Sequence, residues 1–454
     1  MKKSIKYIYG RILAVAVMFN ISSCKKFLDE KSDKKLVVPS TLADLQAMLD
    51  YANITLNNDP YSGEASSDDY YLTTASWQGL PDTDQGMYVW RPDHIYTDLS
   101  NDWFYLYGKI YYTNTILETL PSIERTVTNA PDWDNVKGQA LMIRGRCFLN
   151  AVLLWAKAYD AATANTDPGI PLRFSSEYAD NATRSTMKET YDQILKDLKE
   201  SVRLLPARGI HQNRASRVGA FGYLARTYLS MRDYPQAGLY ADSSLQINST
   251  LLNYNSLNAS ATYPVTAYNT EVDYNVSFFN TFLDVSTAKV DTNLYAMYAS
   301  NDCRKTVFFK TNTDGSYGFK GSYLGTTGSS GGINSDEMFL TRAECFARAG
   351  NKTSALADLN TLLQMRMKTG TFVAVTAATA NDALIIILKE RRKELLSRGI
   401  RWMDLKRLNK EGANIVLKRI VNGQTYTLQP NDLRYALPIP ERVIELSGME
   451  QNAR

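Results

Sequence analysis

Leu340-Thr341-Arg342-Ala343-Glu344-Cys345-Phe346-Ala347-Arg348-Ala349-Gly350 runs into Asn351-Lys352-Thr353-Ser354-Ala355-Leu356-Ala357-Asp358-Leu359-Asn360-Thr361-Leu362. Small and apolar residues recur at helical spacing on both sides of a Gly-Asn-Lys turn. Ala343, Phe346, Ala355, Leu359 and Leu362 are 3, 9, 4 and 3 residues apart, and 118 residues earlier Ala225, Tyr228, Ala237, Ala241 and Ser244 repeat that spacing around Arg232-Asp233-Tyr234. Small residues at both elbows let two antiparallel helices approach closely around an aromatic ring. The chain therefore contains at least two copies of one helical hairpin.

Such a hairpin resembles the tetratricopeptide unit, whose copies stack to share a core. Copies this far apart mean an interrupted array. The intervening residues 249–334 are rich in Tyr, Asn, Thr and Gly and read as loops and short strands, with Asn334 and Glu337 expected to cap the helix that restarts the repeat. Upstream, helical periodicity is expected near 41–49 (Leu45, Met48, Leu49), 102–120, 135–161 and 186–205. The last opens with Thr186 and, three residues on, Glu189, a capping box. Residues 55–98 lose the period and gain Gly, Pro, Asp and aromatics; an irregular stretch of that length is usually functional or disordered. The expected architecture is mostly α, with helical pairs covered on one side by long irregular loops and short strands.

The 454 residues carry 51 Lys and Arg against 47 Asp and Glu. Lys2, Lys3, Lys6 and Arg11 account for the whole excess of +4, so the remainder is neutral and does not suit a nucleic-acid binder living on bulk charge. Two histidines, His94 and His211, are poor stock for a His-rich metal site. The basic start and the short apolar run Ile12–Ile21 read as a secretion signal, because ten residues are too few to span a bilayer, which needs about 20. Ile21-Ser22-Ser23-Cys24 resembles the lipobox of bacterial lipoproteins, which implies cleavage after residue 23 and acylation of Cys24 by fatty chains such as palmitate. Residues 24–37 then form a lipid-anchored tether, and 38–454 one folded domain. Cys147, Cys303 and Cys345 show no zinc spacing; Cys147 and Cys345 lie in helical patterns, where a free thiol usually acts as a small buried residue.

The C-terminal third carries a helix expected over 382–397 and the run Lys389-Glu390-Arg391-Arg392-Lys393-Glu394-Leu395, then Gly399, Arg401, Trp402, Asp404, Leu405 and Arg407. Glu390, Glu394 and Asp404 could be general acids. Their spacing among arginines favours scaffold, with i,i+3 pairs Glu390–Lys393, Arg391–Glu394 and Asp404–Arg407. Arg144, Arg342 and Glu344 read the same way, and Trp103, Trp155 and Trp402 read as packing.

These segments resemble the SusD/RagB family of outer-membrane nutrient-binding lipoproteins. The resemblance rests on Cys24-Lys25-Lys26-Phe27-Leu28-Asp29, on Ala140–Arg144 through Trp155 and Tyr159 to Gly169-Ile170-Pro171-Leu172, on the 340–350 segment, and on Glu390-Arg391-Arg392-x-Glu394-Leu395 with Gly399-x-Arg401-Trp402-x-Asp404-Leu405-x-Arg407. Leu437-Pro438-Ile439-Pro440 and Gln451-Asn452 also fit; Ser397 and Arg398 replace an aromatic and an acid usual before the glycine. The resemblance implies about four tetratricopeptide-like pairs and a helical side that packs on a SusC-like TonB-dependent barrel transporter. It implies a hinged lid that captures oligomeric nutrient at the cell surface, typically glycan and less often peptide, with no cofactor and no bond broken. A glycoside hydrolase, which needs two carboxylates across a cleft, has no local signature here.

Ligand contacts are expected in the two insertions. Flat rings bury the C–H faces of a sugar while polar side chains bond its hydroxyls. Trp77 and Trp90 lie in the first insertion with Tyr61, Tyr70, Tyr71, Tyr88 and Tyr96; the second offers Tyr263, Tyr268, Tyr274, Tyr317 and Tyr323. The candidate set is Trp77, Trp90, Tyr70, Tyr71, Tyr88, Tyr268 and Tyr274. Asp68 and Asp69 lack the spacing of a calcium loop, and Gly325, Gly328, Gly331 and Gly332 lack the lysine of a phosphate loop.

Overall fold

The computed structural model describes residues 39–177, 183–279, 283, 284 and 286–454. The expected signal segment, Cys24 and the expected tether lie outside the described residues. From Leu42 to Arg454 the chain forms one unit built on ten principal helices. They are α1 (Leu42–Leu49), α2 (Asp102–Thr119), α3 (Ala130–Trp155), α4 (Met187–Leu204), α5 (Arg217–Met231), α6 (Tyr234–Ile247), α7 (Ser335–Arg348), α8 (Lys352–Gln364), α9 (Ala380–Glu394) and α10 (Arg401–Lys410). From α2 to α8 each helix packs on the next, and α9 returns onto α7 and α8. The two repeated hairpins are α5–α6 and α7–α8.

Their turns have one design. Arg232 and Gly350 take left-handed backbone (φ 64° and 81°), and the next residue caps the following helix, Asp233 accepting from Gln236 N and Asn351 from Ser354 N. Ala225, Ala237, Ala241, Ala343 and Ala355 have no exposed surface, so the small elbow residues are where the helices meet. The Thr186–Glu189 capping box is present at α4. Asn334 makes no capping bond to α7; Glu337 instead turns to Arg226 at 2.6 Å. α3 stops at Trp155 rather than near 161, because Ala156 is already extended. α9 starts earlier than expected, on a second capping box between Thr379 and Asp382, and stops at Glu394, short of the left-handed Ser397.

Residues 55–98 are not simply irregular. They hold three short helices, Ser62–Ala65, Thr74–Gln78 and Asp82–Tyr88, after a fourth, Ala52–Thr55, that ends where they begin. Helices of four to seven residues complete too few turns to display a 3.6-residue period, which is why the sequence hid them. The second insertion holds, besides the expected short strands and loops, two short helices, Thr292–Ala296 and Arg304–Val307, around its own apolar cluster, which includes Tyr254, Val272, Leu294, Tyr298 and Phe308. The two insertions meet twice. Tyr70–Tyr71 pairs antiparallel with Lys289–Val290. Ser277 N donates to Leu56 O while Asp59 N donates to Ser277 O, both at 3.0 Å.

Candidate functional site

The charged C-terminal run lies inside the protein. Glu394 accepts from Arg304 at 2.8 Å and from Arg366 at 2.7 Å, and all three side chains are fully buried. Asp404 bridges Arg391 (2.8 Å) and Arg407 (2.7 Å), and Arg407 also binds Glu344 at 2.6 Å. Burial alone would raise the Asp404 carboxyl, but the two guanidinium groups outweigh it and hold it at about 2. Glu390–Lys393 and Asp404–Arg407 pair as expected. Arg391–Glu394 does not, because helix packing gives each a partner from another segment. Trp103, Trp155 and Trp402 are core residues, and Cys147, Cys303 and Cys345 are buried free thiols.

The seven candidate aromatics divide by exposure. Tyr70, Tyr88 and Trp90 box a single cation. The Arg419 guanidinium carbon lies 5.2, 3.9 and 4.6 Å from their ring centres, and its nitrogens donate to the main-chain oxygens of Ala65, Ser67 and Tyr88. Trp90 donates its indole N–H to Ser66 O at 2.9 Å. Tyr274 has no exposed surface and packs edge-on against Tyr223. These four rings face the interior. Tyr71 and Trp77 are half-buried and Tyr268 is 42% exposed, so these three keep surface for contact; Trp77 also donates to Gln85 O. The second insertion further holds Tyr295 and Tyr317, stacked at 3.5 Å.

A cleft of about 300 Å³ is lined by the first insertion, the start of α2 and Phe279 of the second insertion. Its walls include Tyr61, Asp84, Asn101, Asp102 and Tyr105, and across from them Phe279, carried there by the Ser277 backbone pairing. Its floor is fixed. Asp59 accepts from Arg146 of α3 (2.6 Å) and sits 3.6 Å from Lys109 of α2. Asp102 accepts from Ser62 N at 2.8 Å, Tyr96 donates to Ser62 at 3.0 Å, and Asn101 caps α2 through Phe104 N. Asp84 differs from these. It is 9% exposed, and among the described residues its carboxylate has one hydrogen-bond partner, the Tyr61 hydroxyl at 3.5 Å. Burial pushes the Asp84 carboxyl up to about 6, against the pull of that hydroxyl. Burial raises Asp102 to about 6 as well, against the Ser62 hydrogen bonds. A buried carboxylate with so little protein bonding calls for hydrogen-bond donors from whatever fills the cleft. Phe279 is 53% exposed and Tyr61 and Tyr105 are half-buried, so apolar ring surface faces the same space.

None of the seven candidates lines this cleft. Tyr61 and Tyr96 were visible as aromatics of the first insertion; Asp84, Asp102, Tyr105 and Phe279 were not singled out. One sequence signal did point here: residues 55–98 hold eight acids and only one basic residue other than histidine, Arg91.

Two family models match the chain, one described as "SusD-like_3: Starch-binding associating with outer membrane" over residues 26–229 and one as the SusD family over residues 336–453. A SusD-like protein of Formosa agariphila is 38% identical over 79 residues, which span 16% of this chain and 16% of that protein. Among solved structures, a SusD superfamily protein of Bacteroides thetaiotaomicron superposes with a TM-score of 0.73 at 21% identity, covering 91% of this chain and 100% of that one. A laminarin-binding SusD-like protein superposes at 0.64 and 17% identity, covering 90% and 98%.

Proposed function

Because the chain belongs to the SusD family, we propose that it is a lipid-anchored, outward-facing outer-membrane protein that captures oligosaccharide and passes it to a SusC-like TonB-dependent barrel. The cleft between the insertions carries the oligosaccharide part of the reading. It combines ring surface on Tyr61, Tyr105 and Phe279 with an under-bonded carboxylate on Asp84, the pairing that a sugar's apolar faces and hydroxyl edges require. Tyr71, Trp77 and Tyr268 serve as outer contacts, while Tyr70, Tyr88, Trp90 and Tyr274 support the loops from within. Anchoring rests on the lipobox-like residues ending at Cys24. Among the described residues no helix is long and apolar enough to cross a membrane. Capture without cleavage is supported by the buried arginine pairs that occupy Glu394 and Asp404.

Calorimetric titration of the mature chain with a glycan panel that includes laminarin tests the reading. Tyr105→Ala and Phe279→Ala should each weaken the bound glycan by roughly 5- to 150-fold, about 1 to 3 kcal/mol. Unchanged binding in both variants moves the site elsewhere. Binding of peptides alone makes the cargo peptide, and new reducing ends would make the protein an enzyme.

A further inference from the structure

Among the described residues the cleft lining has one sign of charge: Asp59, Asp84 and Asp102 line it, and no lysine or arginine does. Of the cations around it, Arg454 interacts with Tyr96 and donates to Ala436 O, while those beneath it are held by carboxylates. Lys109 and Arg146 both turn to Asp59, Lys109 also donating to Asn58 O and Arg146 to Thr55 O. Arg91 of the same insertion is held by Asp82 at 2.7 Å. Asp102 spends hydrogen-bonding capacity on Ser62 N, and Asp59 accepts from Arg146 and Asn150 through one oxygen; Asp84, with the Tyr61 hydroxyl at 3.5 Å, is the least bonded of the three among the described residues.

We infer that this cleft selects neutral saccharides and rejects those bearing carboxylate or sulfate groups. The inference rests on the oligosaccharide reading and narrows it. A neutral sugar presents only hydroxyl donors and apolar faces. Its O–H groups supply the bonds that Asp84 lacks, and its faces cover Tyr105 and Phe279. A uronic acid or sulfated sugar brings a second anion into a partly desolvated cavity whose described lining holds no lysine or arginine. Like charges a few ångströms apart repel strongly where water is excluded, and such contacts discriminate against wrong partners. The expected penalty is on the order of 10- to 100-fold in affinity.

The test uses the mature protein and matched probes: laminarin, unsubstituted xylo-oligosaccharide and galactomannan as neutral glycans, and polygalacturonate, alginate and chondroitin sulfate as anionic ones, at pH 7.5 and low salt. Neutral probes should bind, and anionic probes should bind at least about tenfold more weakly. Asp84→Asn, checked for an intact melting transition, should narrow the ratio between the two classes by roughly tenfold. In the unmodified protein, about 0.5 M NaCl should narrow it as well, a readout that requires no variant to fold. Anionic glycans binding as tightly as neutral ones, or a ratio indifferent to both salt and Asp84→Asn, overturns the selectivity while leaving glycan capture standing. Binding of no glycan in either class removes the oligosaccharide reading and this inference with it.

Discussion

Replacing Asp404 by Asn isolates the role of the charged C-terminal run. Asp404 is 5% exposed and is the one carboxylate in ion-pair contact with Arg391 among the described residues; the Arg391 side chain, 1% exposed, otherwise meets the Thr341 hydroxyl. The amide keeps the shape and removes the charge. Holding the carboxyl at about 2 instead of 3.8 corresponds to about 2 kcal/mol favouring the charged form. The sign is that of a depressed acid: this stability is present above pH 4 or so and is lost as pH falls toward 2. Leaving Arg391 buried without a counter-charge raises the expected cost to about 3 to 5 kcal/mol. Glu394→Gln should cost less, about 2 to 3 kcal/mol, because Arg304 keeps Asp302 and Glu390 and Arg366 keeps Glu271. Urea unfolding at pH 7 followed by tryptophan fluorescence measures both. A loss under about 1 kcal/mol for Asp404→Asn, or a larger loss for Glu394→Gln, would refute the argument that these acids are buried counter-ions. Loss of a hydrolytic activity with stability intact would show that they are catalytic.

Trp155→Ala should cost about 3 to 5 kcal/mol, since this fully buried ring packs against Trp103 at 4.9 Å and Tyr96 at 6.4 Å; thermal melts should show it. Burial and the neighbouring Asp69 push Glu64 from 4.5 up to about 8, so its contribution is full at low pH and declines as pH rises through that window. Melting temperatures of Glu64→Gln should therefore show a flatter pH dependence between 4.5 and 8 than the unmodified protein, and parallel curves would contradict the assignment. Cys24→Ala should abolish metabolic labelling with fatty acid; label equal to that of the unmodified protein would rule out acylation at this residue.

The sequence by itself determined what local interactions determine. The repeat spacing of Ala225–Ser244 and Ala343–Leu362 located the α5–α6 and α7–α8 hairpins because helix contacts recur every three or four residues. The Thr186–Glu189 box marked the start of α4 because a cap needs only three residues. The density of arginines around Glu390, Glu394 and Asp404 identified those acids as scaffold. Their partners were only partly legible: the i,i+3 pairs were, whereas Arg391–Asp404 and Arg366–Glu394 form only when separate segments pack.

Which aromatics face water was decided by the tertiary structure alone. Tyr70, Tyr88 and Trp90 look like a ligand platform until Arg419 arrives from 331 residues beyond Tyr88 and fills the space between them. Phe279 likewise joins the cleft lining because the strand at Ser277 docks beside Leu56 and Asp59. Spacing along the chain reports contacts a few residues apart. Burial and charge balance depend on neighbours brought together across hundreds of residues, so the place of Phe279 in the cleft, and the Asp84 carboxylate left with the Tyr61 hydroxyl as its one hydrogen-bond partner among the described residues, appear only once the chain has packed.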